Sequence, residues 1–306
     1  LFRSVCFFSR QGKALNRIHR VGNGPGEYKD IGSMDVNPAN GELYLKEMNR
    51  QQIHVYSLDG KFKHSFTFPE GKRMSRMCLF SPDYLIAEQE SKVPDDQDAN
   101  FYPYLLVSTR DGHLDSLDYV QKRNILVKLI VNAENHSYAY LLEPSLIRNG
   151  SRFYIGNPDS DTLFAMNPDR TLEPLLVRTP SHSEEGNKYG LFLRGAAGAY
   201  FFLTKQPMEV PMNSIESLDL KSEEWLYDCR TQEVCRYLLK NKDDASKRVE
   251  GIMFFCYPED CGLAVLKSED LMDAYEAGQL SGELKEIAAG LKADDNPVLM
   301  LIHFKK

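Results

Sequence analysis

The sequence has no hydrophobic run long enough to cross a membrane as a helix. Its longest candidate, residues 298–304, has the length of a strand, whereas a spanning helix needs about 20 apolar residues. Excess positive charge is also lacking, because 37 Lys and Arg residues stand against 44 Asp and Glu residues, a net charge of −7. Nucleic acids and anionic membranes select basic surfaces. The sequence therefore predicts neither a transmembrane segment nor a nucleic-acid partner.

The common motifs of catalytic and cofactor sites are absent too. No Gly-x-Ser-x-Gly elbow and no His-Glu-x-x-His occurs. Residues 22–28 are rich in glycine, but another strand repeat follows them where a dinucleotide site needs a helix. Residues 96–100 have the opening spacing of a calcium loop yet lack its glycine and its final glutamate. We predict no cofactor, with a looser Ca²⁺ site at residues 96–100 as the alternative to a solvated acidic loop.

Six cysteines are present, and none belongs to a Cys-x-x-Cys motif. Cys229 and Cys235 flank one predicted hairpin turn, and Cys256 and Cys261 flank another. Opposed positions in paired strands can bring two cysteines within disulfide distance. The pairs Cys229–Cys235 and Cys256–Cys261 are therefore disulfide candidates. The alternative is that these cysteines are free thiols packed as small hydrophobic side chains.

What the sequence does contain is an internal repeat. An alternating apolar run at residues 5–13 reappears at residues 53–61, where Asp59 and Gly60 form a strong hairpin signal. Residues 42–59 also match residues 152–169 without a gap. Aligned on the turn, the same strand recurs at intervals of 48 to 73 residues, beginning near Val5, Ile53, Leu105, Leu163, Trp225 and Val298. Each full repeat predicts four short strands, named a to d below.

Four-stranded units at this spacing are typical of a β-propeller, in which each small sheet buries its faces against neighbouring sheets. We predict an all-β fold, a six-bladed β-propeller of four-stranded antiparallel blades that forms a single domain over residues 1–306. The first repeat lacks two strands and the last lacks one. We therefore expect part of the first blade to lie upstream of Leu1. A five-bladed propeller with a composite last blade is the alternative.

The long insertions occupy two kinds of connection between the predicted strands. They occur in the b–c links, at residues 89–101, 204–223 and 267–297, and in the d–a links, at residues 118–138 and 178–190. Both kinds of link emerge on one face of a propeller, which marks that face as the functional one.

The link at residues 267–297 predicts a helical insertion in the last blade. Leu284, Ile287, Ala288 and Leu291 recur at helical spacing after Ser281, a plausible N-cap, and an earlier short helix is expected around residues 269–277. The same link holds eight acidic residues against three lysines. The predicted functional face is therefore acidic.

Several segments carry a resemblance to a known family. They are the hairpin of residues 8–13, the glycine-rich residues 22–28, the C-terminal residues 295–300, and residues 49–53, which echo the Asn, Arg and Ile of NHL repeats. On these residues the chain resembles the six-bladed β-propeller proteins of Gram-negative gut bacteria, distant relatives of NHL-repeat and TolB-type propellers. The resemblance implies export to the cell envelope, as a periplasmic protein or as a lipoprotein anchored at the outer membrane. It implies no established chemistry.

Six residues are candidates for contact with a ligand. Glu27 and Tyr28 end the glycine-rich segment, and their alternative role is to fix the chain by hydrogen bonds as it crosses between repeats. The other four fall in predicted innermost strands, where they could reach the mouth of a central channel: Asp35, Arg76, Glu143 and Arg194. Their alternative role is that of hydrogen-bonded polar groups around a water-filled channel.

We therefore predict an exported, non-catalytic binding module that presents a loop-rich acidic face to a glycan, a peptide or a protein partner. The alternative is an enzyme with its site at the channel mouth, either a metal-dependent, lactonase-like hydrolase or a polysaccharide-cleaving enzyme. A structural subunit of an envelope assembly is the third hypothesis. Converging carboxylates with a metal would favour the enzyme, an apolar patch would favour a protein partner, and a groove with exposed aromatic residues would favour a glycan.

Overall fold

The computed structural model describes most of the chain. The residues it does not describe are 1–2, 10–12, 49, 69–72, 90–102, 118–126, 132–136, 142–144, 157–159, 182–183, 185–188, 208, 212–221, 250, 255–259 and 306. The chain divides into two compact units, Leu1–Ile125 (unit 1) and Leu126–Lys306 (unit 2). The expectation of a single domain over residues 1–306 stays a prediction.

In the described part of unit 1 there are one hairpin and two four-stranded antiparallel sheets. The hairpin is β1 (Val5–Phe8) and β2 (Ala14–Ile18). The first sheet, blade 1, is β3 (Ile31–Asn37), β4 (Glu42–Glu47), β5 (Gln52–Ser57) and β6 (Phe62–Thr67). The second sheet, blade 2, is β7 (Met74–Ser81), β8 (Tyr84–Gln89), β9 (Tyr104–Ser108) and β10 (Leu114–Ser116).

Unit 2 contains five sheets among its described residues. A three-stranded sheet is β11 (Val127–Val131), β12 (Ser137–Leu141) and, later in the chain, β19 (Glu209–Pro211). Blade 3 is β13 (Ser145–Asn149), β14 (Arg152–Gly156), β15 (Thr162–Met166) and β16 (Leu172–Val177). Blade 4 is β17 (Tyr189–Ala197), β18 (Tyr200–Pro207), β20 (Glu223–Asp228) and β21 (Glu233–Arg236).

The rest of unit 2 is a hairpin, two helices and a last sheet. The hairpin is β22 (Lys240–Asn241) and β23 (Asp244–Arg248). Blade 5 is β24 (Met253–Phe254), β25 (Cys261–Leu266) and β26 (Val298–His303). Between β25 and β26 lie α1 (Ser268–Glu276) and α2 (Gly282–Ala288), where the helical insertion was predicted. Neither helix, nor any other described segment, is a helix long and apolar enough to span a membrane.

The fold is an all-β β-propeller of small antiparallel blades, and the blades number five. The prediction of propeller blades is confirmed, and the prediction of six is wrong. The repeats in the sequence assigned β1 and β2 to a sixth blade. Within the described chain, however, these two strands pair only with each other. A two-stranded hairpin has too few strands to be a blade of its own.

The internal repeat read from the sequence is visible in the strand register. In blade 1, Leu43 pairs with Tyr56 and Tyr44 with Val55. In blade 3, Phe153 pairs with Met166 and Tyr154 with Ala165, the same register 110 residues later. Because a slip of one residue would move every side chain to the other face, this agreement shows that the repeat is structural.

The c–d turns also repeat, and their geometry is not that of the type I′ turn typical of an Asp-Gly hairpin. One residue has positive φ at the same turn position in four blades: Gly60, Gly112, Arg170 and Gln232. A type I′ turn needs positive φ at two successive residues, and Asp59 does not have it. Instead Gly60 N donates to Ser57 O at 2.8 Å and Ser57 N to Lys61 O at 2.9 Å. This is a longer turn that ends in a single left-handed residue.

The cores lie where the faces of successive blades meet within each unit. In unit 1, Tyr44, Ile53 and Val55 of blade 1 pack with Leu85 and Val107 of blade 2. In unit 2, residues of blades 3 and 4 form the equivalent cluster: Tyr154, Leu163, Ala165, Leu193, Phe201, Leu203 and Tyr227, with Trp225 partly buried against them. Central strands therefore bury both faces, which explains why apolar residues follow one another in β8, β9 and β18.

Long links of unit 2 pair with one another. Strand β12 in one link pairs with β19 in another, with Ala139 opposite Val210. A second pair of links also meets, because Asp244 of the hairpin before blade 5 forms an isolated β-bridge with Leu280 of the helical link. Ser281, the predicted N-cap, also donates its backbone N–H to Asp243 O at 2.8 Å. It occupies the N-cap position of α2 without a side-chain capping bond.

Candidate functional site

A cavity of about 550 Å³ lies in unit 2 beside blade 4, and we call it the polar cavity. Its walls come from β17, β18 and β20, from the chain that follows β21, and from the segment that leads into β24. Its polar and aromatic lining residues are Arg194, Thr204, Ser222, Glu223, Glu224, Arg236, Tyr237, Arg248 and Phe254. Ser222 and Glu223 end a long b–c link, so the cavity adjoins the elaborated connections of this unit.

Glu224 is the centre of a hydrogen-bond network in this cavity. Thr204 Oγ1 donates to Glu224 Oε2 at 3.1 Å, and Tyr237 Oη donates to the same oxygen at 3.4 Å. Thr204 also accepts a hydrogen bond from Arg194 Nε at 3.3 Å, and Arg194 Nη2 donates to Gln206 Oε1 at 3.2 Å. The predicted candidate Arg194 is thereby connected to Glu224 through the hydroxyl of Thr204.

Strand register brings these side chains together. Thr204 lies directly opposite Glu224 in the β18–β20 pair, which places both side chains on the same face of the sheet. Arg194 lies where the β17–β18 register shifts between Leu193 and Gly195. A bulge of this kind redirects a side chain out of the regular alternation, and Arg194 is accordingly exposed between buried neighbours.

The environment of Tyr237 changes its acidity. Burial raises the pKa of the Tyr237 hydroxyl, and the nearby Glu224 carboxylate raises it further by disfavouring a second negative charge. The hydroxyl therefore remains protonated and acts as a donor to Glu224. The Tyr237 ring packs edge-on against Phe202 with ring centroids 5.3 Å apart, which fixes its orientation.

Charged residues of both signs surround this network. Arg236 Nη2 lies 3.5 Å from Glu223 Oε2, and its guanidinium lies 5.8 Å from the centre of the Trp225 ring. Arg248 lines the cavity beyond them. Three arginines against two glutamates give the polar cavity a positive balance. The predicted acidic character belongs instead to the helical link, where the eight acidic side chains are all exposed.

The composition of the polar cavity indicates what it can do. Guanidinium groups donate hydrogen bonds, carboxylates accept them, and hydroxyls do both. The described residues of its lining include no cysteine and no histidine, the groups that most often serve as nucleophiles, proton carriers or soft metal ligands. The arrangement can both donate hydrogen bonds to a polar ligand and accept them from it.

A second cavity, of about 470 Å³, lies between β16 of blade 3 and the sheet of blade 4 and is more apolar. Its walls include Val177, Tyr189, Trp225 and Val234. Lys205 Nζ lies 4.8 Å from the centre of the Tyr189 ring and covers one of its faces. This surface has fewer hydrogen-bonding groups than the polar cavity and is the less suitable of the two for a polar ligand.

Glu27 and Tyr28 occupy structural positions in unit 1. Glu27 Oε2 accepts a hydrogen bond from Gly24 N at 2.8 Å, so the carboxylate folds back over its own loop. A Cβ atom at Gly22 would lie 2.0 Å from that oxygen. Tyr28 is fully buried and donates to Ile18 O at 3.1 Å. Hydrogen bonds of this kind are what the alternative role describes, and contact with a ligand stays a prediction for both residues. Of Gly22, Gly24 and Gly26, only Gly26 has positive φ.

The structure describes three of the four candidate residues that were predicted in innermost strands. Asp35 lies in β3, and its Oδ2 accepts a hydrogen bond from Leu79 N of the neighbouring blade at 2.6 Å. Arg76 is exposed on β7. Glu143 lies outside the described residues, as does the candidate calcium loop at residues 96–100. Asp35 therefore joins two blades through backbone contacts, and Arg194 is the predicted candidate that lines the polar cavity.

Three of the four cysteines in the candidate disulfides lie in the part of the chain that the structure describes. Cys229 and Cys235 are both free thiols and both exposed, so the structure does not contain the candidate Cys229–Cys235 disulfide. The reason is register, because Cys235 lies opposite Leu226 while Cys229 belongs to the turn. Cys261 is a buried free thiol, and Cys256, its candidate partner, lies outside the described residues.

Sequence reasoning missed Glu224, Tyr237 and Arg248. The only local signal was the pair of acidic residues that precedes Trp225 at the start of β20. Tyr237 falls in the predicted fourth strand of its repeat but lies just after β21 (Glu233–Arg236), and Arg248 lies between two repeats, where no periodicity marks it. Their convergence depends on how the chain returns after β21.

Comparison with known proteins places the chain in a family. A model described as a domain of unknown function (DUF4934) matches residues 2–303. The chain belongs to the DUF4934 family. No curated protein matches its sequence.

Two solved structures resemble this DUF4934 chain closely enough to show its fold. A protein from Bacteroides fragilis described as exported superposes with a TM-score of 0.65 at 16% identity, covering 98% of this chain and 84% of its own. A member of the DUF4221 family from Bacteroides vulgatus superposes with a TM-score of 0.56 at 10% identity, covering 98% of this chain and 86% of its own. Identities this low support the propeller fold alone.

Proposed function

We propose that this DUF4934 protein is an exported, non-catalytic binding module that holds a glycan in the polar cavity. The observation that carries the proposal is the network in which Glu224 accepts hydrogen bonds from Thr204 and Tyr237 while Arg194 supports Thr204. It is a preorganised polar centre in a cavity of about 550 Å³. Preorganisation lowers the entropy cost of binding.

Glycan chemistry fits this centre better than the other occupants do. Each sugar hydroxyl donates one hydrogen bond and accepts others, so it can satisfy a carboxylate and a guanidinium at once. Glu223, Glu224, Arg194, Arg236 and Arg248 supply that mixture. The three arginines also favour a glycan that carries carboxylates, because guanidinium binds carboxylate through paired hydrogen bonds.

A protein or peptide partner is the second occupant of the predicted face. The apolar cavity lined by Val177, Tyr189 and Val234 is the surface that favours it, since all three side chains are more than 40% exposed. Exposed apolar side chains of this kind mark interaction sites when they lie together. The screen below therefore includes peptides as well as glycans.

Export to the cell envelope has two supports. The chain shares its fold with the B. fragilis protein described as exported, and segments of its sequence resemble envelope propellers. Cells that produce the full-length protein should release it with the periplasm or retain it with the outer membrane. Recovery in the cytoplasmic fraction would contradict this part of the proposal.

A binding screen tests the function. Wild-type protein and Arg194→Ala would be applied to an array of neutral and acidic oligosaccharides and to a peptide library, with Arg152→Ala, an exposed arginine of blade 3, as the matched control. We expect wild type and Arg152→Ala to retain acidic oligosaccharides and Arg194→Ala to lose them. Selective retention of peptides, or equal retention by all three proteins, would contradict the proposal.

A further inference from the structure

Three side chains that can bind a metal meet at the end of blade 5. Cys261 begins β25 and pairs directly with His303 of β26. The Cys261 Sγ lies 3.1 Å from His303 Nδ1 and 3.7 Å from Asp260 Oδ1. One ligand atom from each of the three residues lies within 4.8 Å of the other two. The cluster is separate from the polar cavity, whose lining contains none of the three residues.

The spacing agrees with tetrahedral coordination. A zinc ion binds sulfur at about 2.3 Å and nitrogen or oxygen at about 2.0–2.2 Å, which places neighbouring ligand atoms about 3.5 Å apart. The two measured contacts of 3.1 Å and 3.7 Å fall on either side of that value. His303 is exposed, so a small rotation of its ring adjusts the contact without disturbing the core.

The neighbouring backbone holds the ligands in place. Phe304 N donates to Asp260 O at 2.8 Å, so the two strands are tied together beside the site. Cys261 is fully buried and His303 reaches solvent. The cluster therefore has one fixed thiol and an accessible entry side.

We propose that Asp260, Cys261 and His303 form a zinc-binding site that joins β25 to β26. Thiolate, imidazole and carboxylate together are the ligand set that selects Zn²⁺ over Mg²⁺ or Ca²⁺. Three protein ligands leave the fourth position to water. The strand β26 joins the sheet only after the insertion that holds α1 and α2. A metal at its end therefore stabilises the pairing of β26 with β25.

Cobalt substitution tests the site without reference to any activity. Chelator-treated full-length protein would be titrated with Co²⁺ and followed by the charge-transfer absorption of a cobalt–thiolate bond, then with Zn²⁺ and followed by Tm. We expect a thiolate band that saturates at one Co²⁺ per chain, its displacement by Zn²⁺, and a Zn²⁺-dependent rise in Tm. Absence of the band in wild type would overturn the proposal.

Variants assign the ligands. His303→Ala and Cys261→Ser should each abolish the band and the rise in Tm, and His303→Ala keeps the test valid should Cys261→Ser fail to fold. Cys235→Ser, which removes an exposed thiol of β21, and His113→Ala, which removes an exposed histidine, should behave as wild type. A band that persists in His303→Ala but disappears in Cys235→Ser would place the metal elsewhere and overturn the assignment.

Discussion

At the scale of single residues, the most unusual feature of unit 1 is a buried acid–base pair. Glu47 is fully buried and His54 is 1% exposed. The His54 Nε2 lies 3.6 Å from Glu47 Oε2, while Glu47 Oε1 accepts a hydrogen bond from Lys29 N at 3.1 Å and lies 3.7 Å from Arg50 Nε. Burial lowers the pKa of His54, and the Glu47 carboxylate opposes that shift only in part. His54 is therefore neutral in the folded protein.

This pair predicts a loss of stability in mild acid. The unfolded chain takes up a proton on His54 near its ordinary pKa of about 6.5, whereas the folded chain resists it. The contribution to stability is thus complete above about pH 6.5 and falls as pH drops toward the lowered pKa of the folded state. We expect the free energy of urea unfolding to decrease between about pH 7 and pH 5, and His54→Gln to flatten that dependence.

The control for this prediction is His113→Gln, at an exposed histidine in the β9–β10 turn. It should leave the pH dependence of wild type unchanged. An equally steep dependence in His54→Gln would show that another group is responsible.

Contacts between single residues are what the sequence predicted least well. The glycine-rich loop before Tyr28 was recognised, and so was its alternative role as a structural crossing. The pairing of Glu47 with His54 was not, because cross-strand neighbours depend on a register that a single strand does not reveal. The Cys229–Cys235 candidate was misjudged for the same reason, because the residue opposite Cys235 is Leu226, three residues before Cys229.

At the scale of elements, apolar runs bounded by turn residues predict strands well where neighbouring blades cover both faces. The strands β5 (Gln52–Ser57) and β15 (Thr162–Met166) begin within one residue of Ile53 and Leu163, the starts predicted from the repeat. The strands β11, β12 and β19 were missed because they form from links rather than repeats, and their pairing joins segments far apart in sequence. Local patterns do not contain that information.

Contacts between blades repeat as well, although the sequence alignment did not reveal them. Asn37 at the end of β3 donates through Nδ2 to Pro82 O of blade 2 at 3.1 Å. Asn149 at the end of β13 donates through Nδ2 to Gly198 O of blade 4 at 3.3 Å. Both asparagines are buried. Each ties the end of one blade to the first turn of the next, so the repeat includes the blade junction.

Blade 4 and blade 5 approach closely at Gly195. A Cβ atom there would lie 1.9 Å from Phe254 Cδ2, and the Phe254 ring is itself packed against Phe202 with centroids 4.5 Å apart. We expect Gly195→Ala to lower the free energy of unfolding by about 1–3 kcal/mol, because the aromatic cluster must shift to admit a methyl group. Urea unfolding followed by fluorescence measures the change.

The matched control is Gly290→Ala. A Cβ atom at Gly290 meets only Ile287 O at 3.7 Å, an ordinary contact, so the expected change is within about 0.5 kcal/mol. Equal stability of Gly195→Ala and wild type would mean that the two blades are not in close contact at this point.

At the scale of the whole molecule, the net charge of −7 is unevenly distributed. The helical link of blade 5 exposes its acidic side chains, while the polar cavity beside blade 4 gathers Arg194, Arg236 and Arg248. The acidic residues of that link led to the prediction of an acidic functional face. The cavity has the opposite balance, with three arginines against two glutamates. This was not predicted because the arginines come from three separate segments, and no window of the sequence is basic enough to reveal them.

The fold class and the repeat could thus be read from the sequence, and the number of blades could not. Periodic turns count repeats, but they do not tell whether the strands of a partial repeat suffice for a blade. The candidate site was predicted only through Arg194. Thr204, Glu224 and Tyr237 complete the site through a strand pairing and a chain return that belong to the folded state.

The central claim is that Glu224 organises a glycan-binding site in the polar cavity. Isothermal titration calorimetry with the oligosaccharide best retained in the screen tests it most directly, comparing wild type, Glu224→Gln and Glu283→Gln, which makes the same change at an exposed position of α2. We predict that Glu224→Gln weakens binding at least tenfold, about 1.4 kcal/mol, and that Glu283→Gln binds as wild type. Equal affinity of all three proteins would contradict the account.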